Sequence, residues 1–254
     1  MDIILIGSGN TATIIGRKSL SAGHRIIQVY SRIEDHAKRL ALRLNAEPVY
    51  SAADIGIKAD LMIIAIRDEA ILPFMRAIKT IPFPVVHTAG AVTRNALKNP
   101  GNAYGVLYPL QSLRKEIEVL PPLTLLIDGN SQDSLKVITS FASTIAKTVI
   151  VANDAVRMNY HLAATLVNNF TNFLFVLAEN FCKKEQISFA VLQPLIEETL
   201  MRLRESSPAE VQTGPAIRND LQTIEEHRLI LKDHPDLLRI YEMFTLEIQN
   251  FYLK

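Results

Sequence analysis

Gly7-Ser8-Gly9-Asn10-Thr11-Ala12 follows directly on the apolar run Ile3 to Ile6. A pyrophosphate bound at the start of a helix must come close to backbone N–H groups, and a side chain in the turn would collide with it. Gly7 and Gly9 stand where the tight turn and the close approach need them. Ala12 is small enough for the helix to pack on a strand, and Ser8, Asn10 and Thr11 add polar side chains. The same spacing describes many ordinary strand-to-helix turns. Its place after a strand, before a helix and at the head of a βαβ unit is what points to a dinucleotide.

The second expected strand ends in Val29-Tyr30-Ser31-Arg32. A carboxylate there would hold the ribose hydroxyls of NAD and repel a 2′-phosphate; a hydroxyl and a guanidinium instead bind that phosphate through charge-assisted hydrogen bonds. Ser31 and Arg32 therefore favour NADP, unless Arg32 only decorates an exposed loop. Ligands of open α/β sheets lie beyond the carboxyl ends of the strands. That rule adds Arg67-Asp68, His87-Thr88-Ala89-Gly90 and Tyr108-Pro109-Leu110-Gln111. Arg67 joins the cofactor set, and Gly90 would let backbone lie close to a nicotinamide ring. Asp68 serves equally well as a helix cap, and His87 as a satisfied half-buried histidine.

A third group lies on a long helical stretch. Counted at 3.6 residues per turn, Arg157, His161, Thr165, Asn168 and Asn172 form one line, and apolar residues such as Leu162, Leu166, Val167, Phe170 and Phe173 cover much of the rest. Unpaired polar groups in a core cost a few kcal/mol, roughly, so a buried helix keeps such a line only for water, a partner or a ligand. Either the line faces solvent or another subunit, or it faces the site, with His161 as general acid and Asn168 or Asn169 orienting a carbonyl or carboxylate. The fourth group is Thr213-Gly214-Pro215 with Arg218 and Asp220. Asp220 and Thr223 each suit an N-cap, Thr223 and Glu226 with capping-box spacing, and Arg218 can pair with a substrate carboxylate or with Asp220.

Alternating β-branched runs and amphipathic stretches must position these groups. Strands are expected at Ile3 to Ile6, Arg25 to Tyr30, Pro48 to Tyr50, Leu61 to Ile66, Pro84 to His87, Ala103 to Tyr108, Leu123 to Ile127 and Thr148 to Val151. Between them, Thr11 to Ser21, Ile33 to Leu44, Asp68 to Lys79 and Ser131 to Ile145 read as helices. Past Ala152 the chain is helical by period: Asp154 to Lys183, Ser188 to Glu205, Asp220 to Lys232 and Pro235 to Phe251. The expected fold is α/β, with a mostly parallel Rossmann domain over 1–152 and an all-α domain over 153–254.

The 254 residues are 48% hydrophobic and carry a net charge of +1. With charges of both signs intermixed, no basic stripe marks a nucleic-acid or membrane surface, and a small-molecule partner is expected. The single cysteine, Cys182, excludes an internal disulfide framework, no spacing suggests a metal site, and a cytoplasmic setting follows. The N-terminus lacks the basic flank and the long apolar core of a signal peptide. His161 to Ala178 is nearly long and apolar enough for a membrane span. Asn168, Asn169 and Asn172 in its middle argue instead for a buried helix of a soluble protein.

Taken together, the glycine loop, His87-Thr88-Ala89-Gly90-Ala91, Tyr108-Pro109-Leu110-Gln111-Ser112, Tyr160-His161-Leu162-Ala163-Ala164 and Thr213-Gly214-Pro215 with Arg218 and Asp220 resemble a bacterial family. That family joins a Rossmann-like oxidoreductase domain to Domain of Unknown Function 2520, and the resemblance runs along essentially the whole chain. It implies an NADP-type Rossmann fold and a helical domain similar to those of 6-phosphogluconate dehydrogenase and pyrroline-5-carboxylate reductase. It also implies a homodimer through that helical domain. Tyr108 stands where the family pattern has histidine, and Asn219 where it has glycine. The lysine that β-hydroxyacid dehydrogenases carry four residues before an asparagine is replaced by Thr165, ahead of Asn169. Three functions stay open: an NADPH-dependent reductase of a small oxo or imino acid, a non-catalytic NADP-binding module, and a deazaflavin-dependent NADP reductase. In the first, His161 gives the proton and Arg218 holds a carboxylate.

Overall fold

The structure, a computed structural model, describes residues 1–98 and 103–253. The chain divides into two compact units, Met1–Asn168 and Asn169–Lys254. The first contains one sheet of eight strands: β1 (Asp2–Ile6), β2 (Arg25–Tyr30), β3 (Glu47–Val49), β4 (Leu61–Ile64), β5 (Val85–His87), β6 (Tyr104–Pro109), β7 (Thr124–Gly129) and β8 (Thr148–Val151). Their order is β3-β2-β1-β4-β5-β6-β7-β8, with every pairing parallel except the antiparallel β6/β7 pair. The first six strands thus follow the dinucleotide-fold order, which reverses direction between β1 and β4.

Side chains alternate across a strand, so successive residues of β1 feed opposite layers. Ile3 and Leu5 pack with Ala12 and Ile15 of α1 (Asn10–Ser21), with Leu40 and Leu44 of α2 (Glu34–Leu44), and with Ile138 and Phe141 of α4 (Gln132–Ile145). Ile4 and Ile6 join Met62, Ile64 and Ile71, Phe74 and Met75 of α3 (Asp68–Ala77) on the other face. Both faces are covered, which is why these strands read as unbroken apolar runs. The strands and helices expected up to residue 152 all appear, with ends that move by one or two residues.

The helical stretch differs more. It begins as α5 (Asp154–Ala164), widens into a π-helical segment at Thr165–Phe170 and continues as α6 (Thr171–Lys184). A count at 3.6 residues per turn therefore fails across Thr165–Phe170, where each turn takes in an extra residue, and Asn168 and Asn172 leave the line drawn through Arg157 and His161. The Thr165 hydroxyl donates to the His161 carbonyl at 3.0 Å, a side-chain bond that competes at the start of the widened turn.

The expectation of a buried helix is overturned. Leu162, Val167, Phe170 and Phe173 are all more than half exposed, and none of the apolar window of Asp154–Lys184 is buried. By length and composition alone, this helix could cross a membrane. The division at Asn168 also differs from the boundary at 152. Arg157 anchors α5 to the loop after β5, so the first helix beyond the sheet belongs to the first unit.

The second unit holds the end of the π segment and all of α6, then α7 (Gln193–Arg202), α8 (Leu221–Leu231) and α9 (Pro235–Tyr252). Asp220 caps α8, accepting from the backbone N–H of Thr223 at 3.1 Å and from its hydroxyl at 2.8 Å. Thr223 is therefore the capped residue and does not start a capping box with Glu226.

Candidate active site

Gly7 has φ +116°, and its N–H donates to the Tyr30 carbonyl at 2.8 Å. A Cβ on it would lie 2.2 Å from the Ala65 carbonyl oxygen, just past the end of β4. The glycine is needed for both reasons, and it closes the turn at the point where the strand order reverses. Gly9 has nothing within 4 Å of where a Cβ would stand. It precedes the first turn of α1, which has no side-chain cap and no acidic residue. The N–H groups of that turn are left for an anion, as a phosphate site requires.

Beside this turn the Ser8 hydroxyl donates to the Ser31 hydroxyl at 3.1 Å, and the Ile33 N–H donates to Ser31 at 3.3 Å. Ser31 is buried, whereas Arg32 is exposed with no hydrogen-bond or ion-pair partner among the described residues. Thus the structure brings Gly7, Ser8, Gly9, Thr11, Ser31 and Arg32 to the ends of β1 and β2. Asn10 has a further duty: its side-chain oxygen accepts from the Lys115 N–H at 3.3 Å. Arg17, further along α1, donates to the carbonyls of Ile117 and Glu118, both at 2.7 Å, so the segment after β6 is tied along this helix. Arg67 precedes α3, is well exposed and meets Glu69 only at 4.0 Å.

A second cluster lies at the ends of β5 and β6. The Tyr108 Oη and His161 Nδ1 atoms are 2.9 Å apart, with the rings edge to face. Gly90 lies against both: a Cβ there would stand 2.7 Å from His161 Nδ1 and 3.1 Å from Tyr108 Cε2. The need for glycine at 90 is thus met by the protein's own imidazole and phenol, not by open space awaiting a nicotinamide. Burial pushes the Tyr108 hydroxyl above its ordinary pKa; Asp68 adds to this, and the positive Arg157 opposes it.

Arg157, one turn before His161, is 1% exposed. It donates from Nε to the Gly90 carbonyl at 3.2 Å, from Nη2 to the Val92 carbonyl, and from Nη2 to Asp154 at 2.8 Å. Burial on its own would raise the Asp154 carboxyl. Donors from Thr93, the Arg94 backbone and Arg157 outweigh it and hold the group below the usual range. Arg94 in turn donates to Asp128 at 2.8 Å. The loop after β5 is therefore clamped onto α5, with His161 and Gly90 in contact.

His87 is fully buried, and its Nδ1 accepts from the Ala89 N–H at 3.2 Å. Burial, helped by the charge of Arg157, lowers its pKa to about 4, against weaker opposing effects of the Thr93 backbone and Asp154. It is a neutral structural group at neutral pH rather than a proton carrier. Asn168 and Asn169 are exposed and lie in the π segment. Arg218 is exposed in the second unit, beside the cap residue Asp220. Asn219 has φ 53°, which accounts for glycine in the family pattern, since asparagine tolerates this conformation better than other side chains.

Sequence reasoning brought in Tyr108 as a strand-end residue and as a departure from the family pattern, but gave it no role and missed its pairing with His161.

Comparisons with known proteins bear on this arrangement. Residues 2–83 match the family described as NADP oxidoreductase coenzyme F420-dependent, and residues 123–248 match Domain of Unknown Function 2520. The second match begins inside the sheet, at β7. The crystal structure of a protein from Bacteroides fragilis, described as a putative NADP oxidoreductase, shares 36% identity over 98% of both chains, with a TM-score of 0.90. Two further structures, each 15% identical, share the fold. One is 1-pyrroline-5-carboxylate reductase from Streptococcus pyogenes, covering 98% of both chains with a TM-score of 0.61. The other is a reductive aminase from Aspergillus terreus in complex with NADPH and ethyl-5-oxohexanoate, covering 97% of this chain and 94% of that one with a TM-score of 0.72. No curated protein matches the chain. A Rossmann-like sheet preceding a helical half, with matches to both parts and one relative aligned end to end, places the chain in the NADP oxidoreductase family that carries Domain of Unknown Function 2520.

Proposed function

We propose that the chain is an NADPH-dependent reductase of a small oxo or imino acid, acting in the cytoplasm as a homodimer joined through its helical half. The observation that carries the reading is the 2.9 Å contact of Tyr108 Oη and His161 Nδ1, a half-buried hydroxyl–imidazole couple at the carboxyl end of the sheet. Reduction of a C=O or C=N bond needs a hydride and a proton. The chemistry a bound NADPH supplies is the hydride.

The chain's residues fit that cofactor, because Gly9 leaves room beside an uncapped helix start and Ser31 and Arg32 offer a hydroxyl and a free cation. Ser8, Asn10, Thr11 and Arg67 complete the holding set. In this reading Asn168 and Asn169 orient the substrate, and Arg218 pairs with its carboxylate. The substrate class is drawn from the neighbours named above, a reductive aminase and a 1-pyrroline-5-carboxylate reductase.

Loss of NADPH absorbance across a panel of 2-oxo acids with and without amines, cyclic imino acids and aldehydes tests the activity. Turnover of at least one oxo or imino acid is expected, and a silent panel refutes the reading. For the cofactor, Arg32→Ala should weaken NADPH roughly ten- to a hundredfold, the value of one charge-assisted contact, and leave NADH little changed. Equal affinity of the native protein for NADH and NADPH would remove the 2′-phosphate assignment.

The family description over residues 2–83 favours a second reading, hydride exchange between NADP and a deazaflavin. Absorbance changes on mixing NADP with the reduced deazaflavin distinguish it from the first.

A further inference from the structure

A hydroxyl and an imidazole 2.9 Å apart can share a hydrogen in two ways, and only one leaves the phenol able to act. When Oη–H donates to Nδ1, the phenol's proton points into the couple. When Nδ1–H donates to Oη, the phenol's own O–H is free to turn toward a bound substrate.

The surroundings favour the second arrangement. The phenol sits at the end of β6, where ligands of such sheets lie, while the imidazole stands behind it on α5 against Gly90. The contact with Gly90 leaves the ring little freedom, because a Cβ at that position would already overlap it. Arg157, four residues earlier, holds the Gly90 carbonyl and so fixes the same turn of α5. The charged groups acting on Tyr108 are Asp68 from α3 and Arg157 from α5. With burial the largest influence, the balance keeps the hydroxyl protonated well above neutral pH.

Resting on the reductase reading above, we propose that Tyr108 is the group that protonates the substrate, and that His161 is the positioning and relay residue that restores its proton. As hydride reaches the carbon of a C=N or C=O bond, the π electron pair moves to the nitrogen or oxygen and takes the Tyr108 proton. One O–H bond breaks, and one N–H or O–H bond forms. The tyrosinate then takes the hydrogen of His161 Nδ1, Nε2 takes one from water, and the ring resets by exchange with solvent. The net consumption is one hydride from the reduced nicotinamide and one proton from water.

Two measurements on the full chain test this, one of them independent of turnover. Nitrogen-15 spectra of the histidine rings at neutral pH, with His161 assigned by its Asn variant, should show hydrogen on Nδ1. A bare, accepting Nδ1 overturns the proposal whatever the enzyme does. On the best substrate of the panel, Tyr108→Phe should lower kcat at least about a hundredfold, the usual contribution of a positioned acid. KM and the affinity for NADPH should stay within about twofold, which also shows that the variant is folded. His161→Asn should lose less, and added imidazole should restore part of it. Tyr108→Phe keeping more than a third of native kcat while His161→Asn loses a hundredfold makes His161 the donor and sinks the proposal. Absence of turnover by the native protein refutes the reductase reading and this inference with it; turnover that survives Tyr108→Phe refutes the inference alone.

Discussion

The unit Met1–Asn168 and the unit Asn169–Lys254 obey the same packing physics and end in different conditions. In the first, both faces of the sheet are covered and almost every strand residue from Ile3 to Ile6 and from Leu61 to Ile64 is sealed from solvent. In the second, the buried apolar residues among those described are Cys182, Ala216, Ile224 and Leu231, while Phe173, Val191, Leu195, Leu200, Leu246 and Phe251 stand largely exposed. Ordering a residue costs about 1–2 kcal/mol of conformational entropy, and only buried surface offsets it. Helices this amphipathic and this bare need another surface, and the proposed homodimer supplies it with a second copy of the same helices. The sheet unit thus carries its own core and the Tyr108–His161 contact, whereas in the proposed homodimer the helical unit's stability would belong to the assembly.

The greatest loss is expected in the sheet unit, at Arg157, the one fully buried cation among its described residues. Arg157→Leu removes donors from the carbonyls of Gly90 and Val92 and the ion-pair partner of Asp154, which keeps its bonds from the Thr93 hydroxyl and the Arg94 N–H. A loss of roughly 2–5 kcal/mol is expected from the two carbonyls left without a donor, at about 1–3 kcal/mol for each buried group left unsatisfied. Urea denaturation followed by circular dichroism reads it. A loss below about 1 kcal/mol would mean that the loop after β5 does not depend on this clamp.

The next test addresses the exposed apolar residues on the two sides of the division at Asn168. Val167→Glu with Phe173→Glu alters two residues that are 75% and 55% exposed in the single chain. In an isolated protomer such changes cost almost nothing, because surface substitutions fall within about 0.5 kcal/mol. In a dimer that buries them, the carboxylates should weaken association at least about a hundredfold, close to 3 kcal/mol. Sedimentation velocity over a concentration series should show the native chain as a dimer and the variant as a monomer. An unchanged sedimentation coefficient would place the contact elsewhere.

How much of this was legible in the sequence depends on the range of the interaction. Gly7 and the alternation Ile3 to Ile6 announce themselves, because a positive φ and a period of two are local properties. The strand-end rule likewise brought Gly90 and Tyr108 into view. The meeting of Gly90, Tyr108 and His161 joins positions up to 71 residues apart, and no local pattern encodes it. The polar line on the helix failed for a different reason: it presupposed 3.6 residues per turn across Thr165–Phe170, where the backbone is π-helical. The buried-helix expectation failed because apolar composition does not by itself place a side chain inside: much of the accessible surface of a folded chain is apolar.

A smaller effect comes from pH and belongs to the sheet unit alone. His87 is neutral in the folded chain, its pKa lowered to about 4 by burial and by Arg157, against about 6.5 when unfolded. Between these values the unfolded chain binds more protons, so stability is complete above about pH 6.5 and falls as pH drops toward 4. The cost of going from pH 7 to pH 5 is about 2 kcal/mol from this residue. His87→Asn keeps a side-chain acceptor for the Ala89 N–H and cannot titrate, so its melting temperature should decline less across the same range. Parallel curves for the two proteins would show that His87 gains a proton without unfolding cost.

The smallest effect returns to the helical unit, at a backbone feature that needs no partner. Asn219 sits at φ 53° immediately before the α8 cap, and its side-chain oxygen accepts from Gln249 at 3.0 Å. An alanine in the left-handed region costs roughly 1–2 kcal/mol, whereas glycine enters it freely and loses only an exposed side-chain bond. Asn219→Gly should therefore be nearly neutral and Asn219→Ala should cost about 1 kcal/mol, read as a difference in melting temperature at one protein concentration. Because the strain is local, that difference should persist when Val167→Glu and Phe173→Glu have separated the protomers. A difference that vanished in the separated protein would mean that this turn takes its left-handed form only in the assembled one, and that the backbone of the helical unit depends on association.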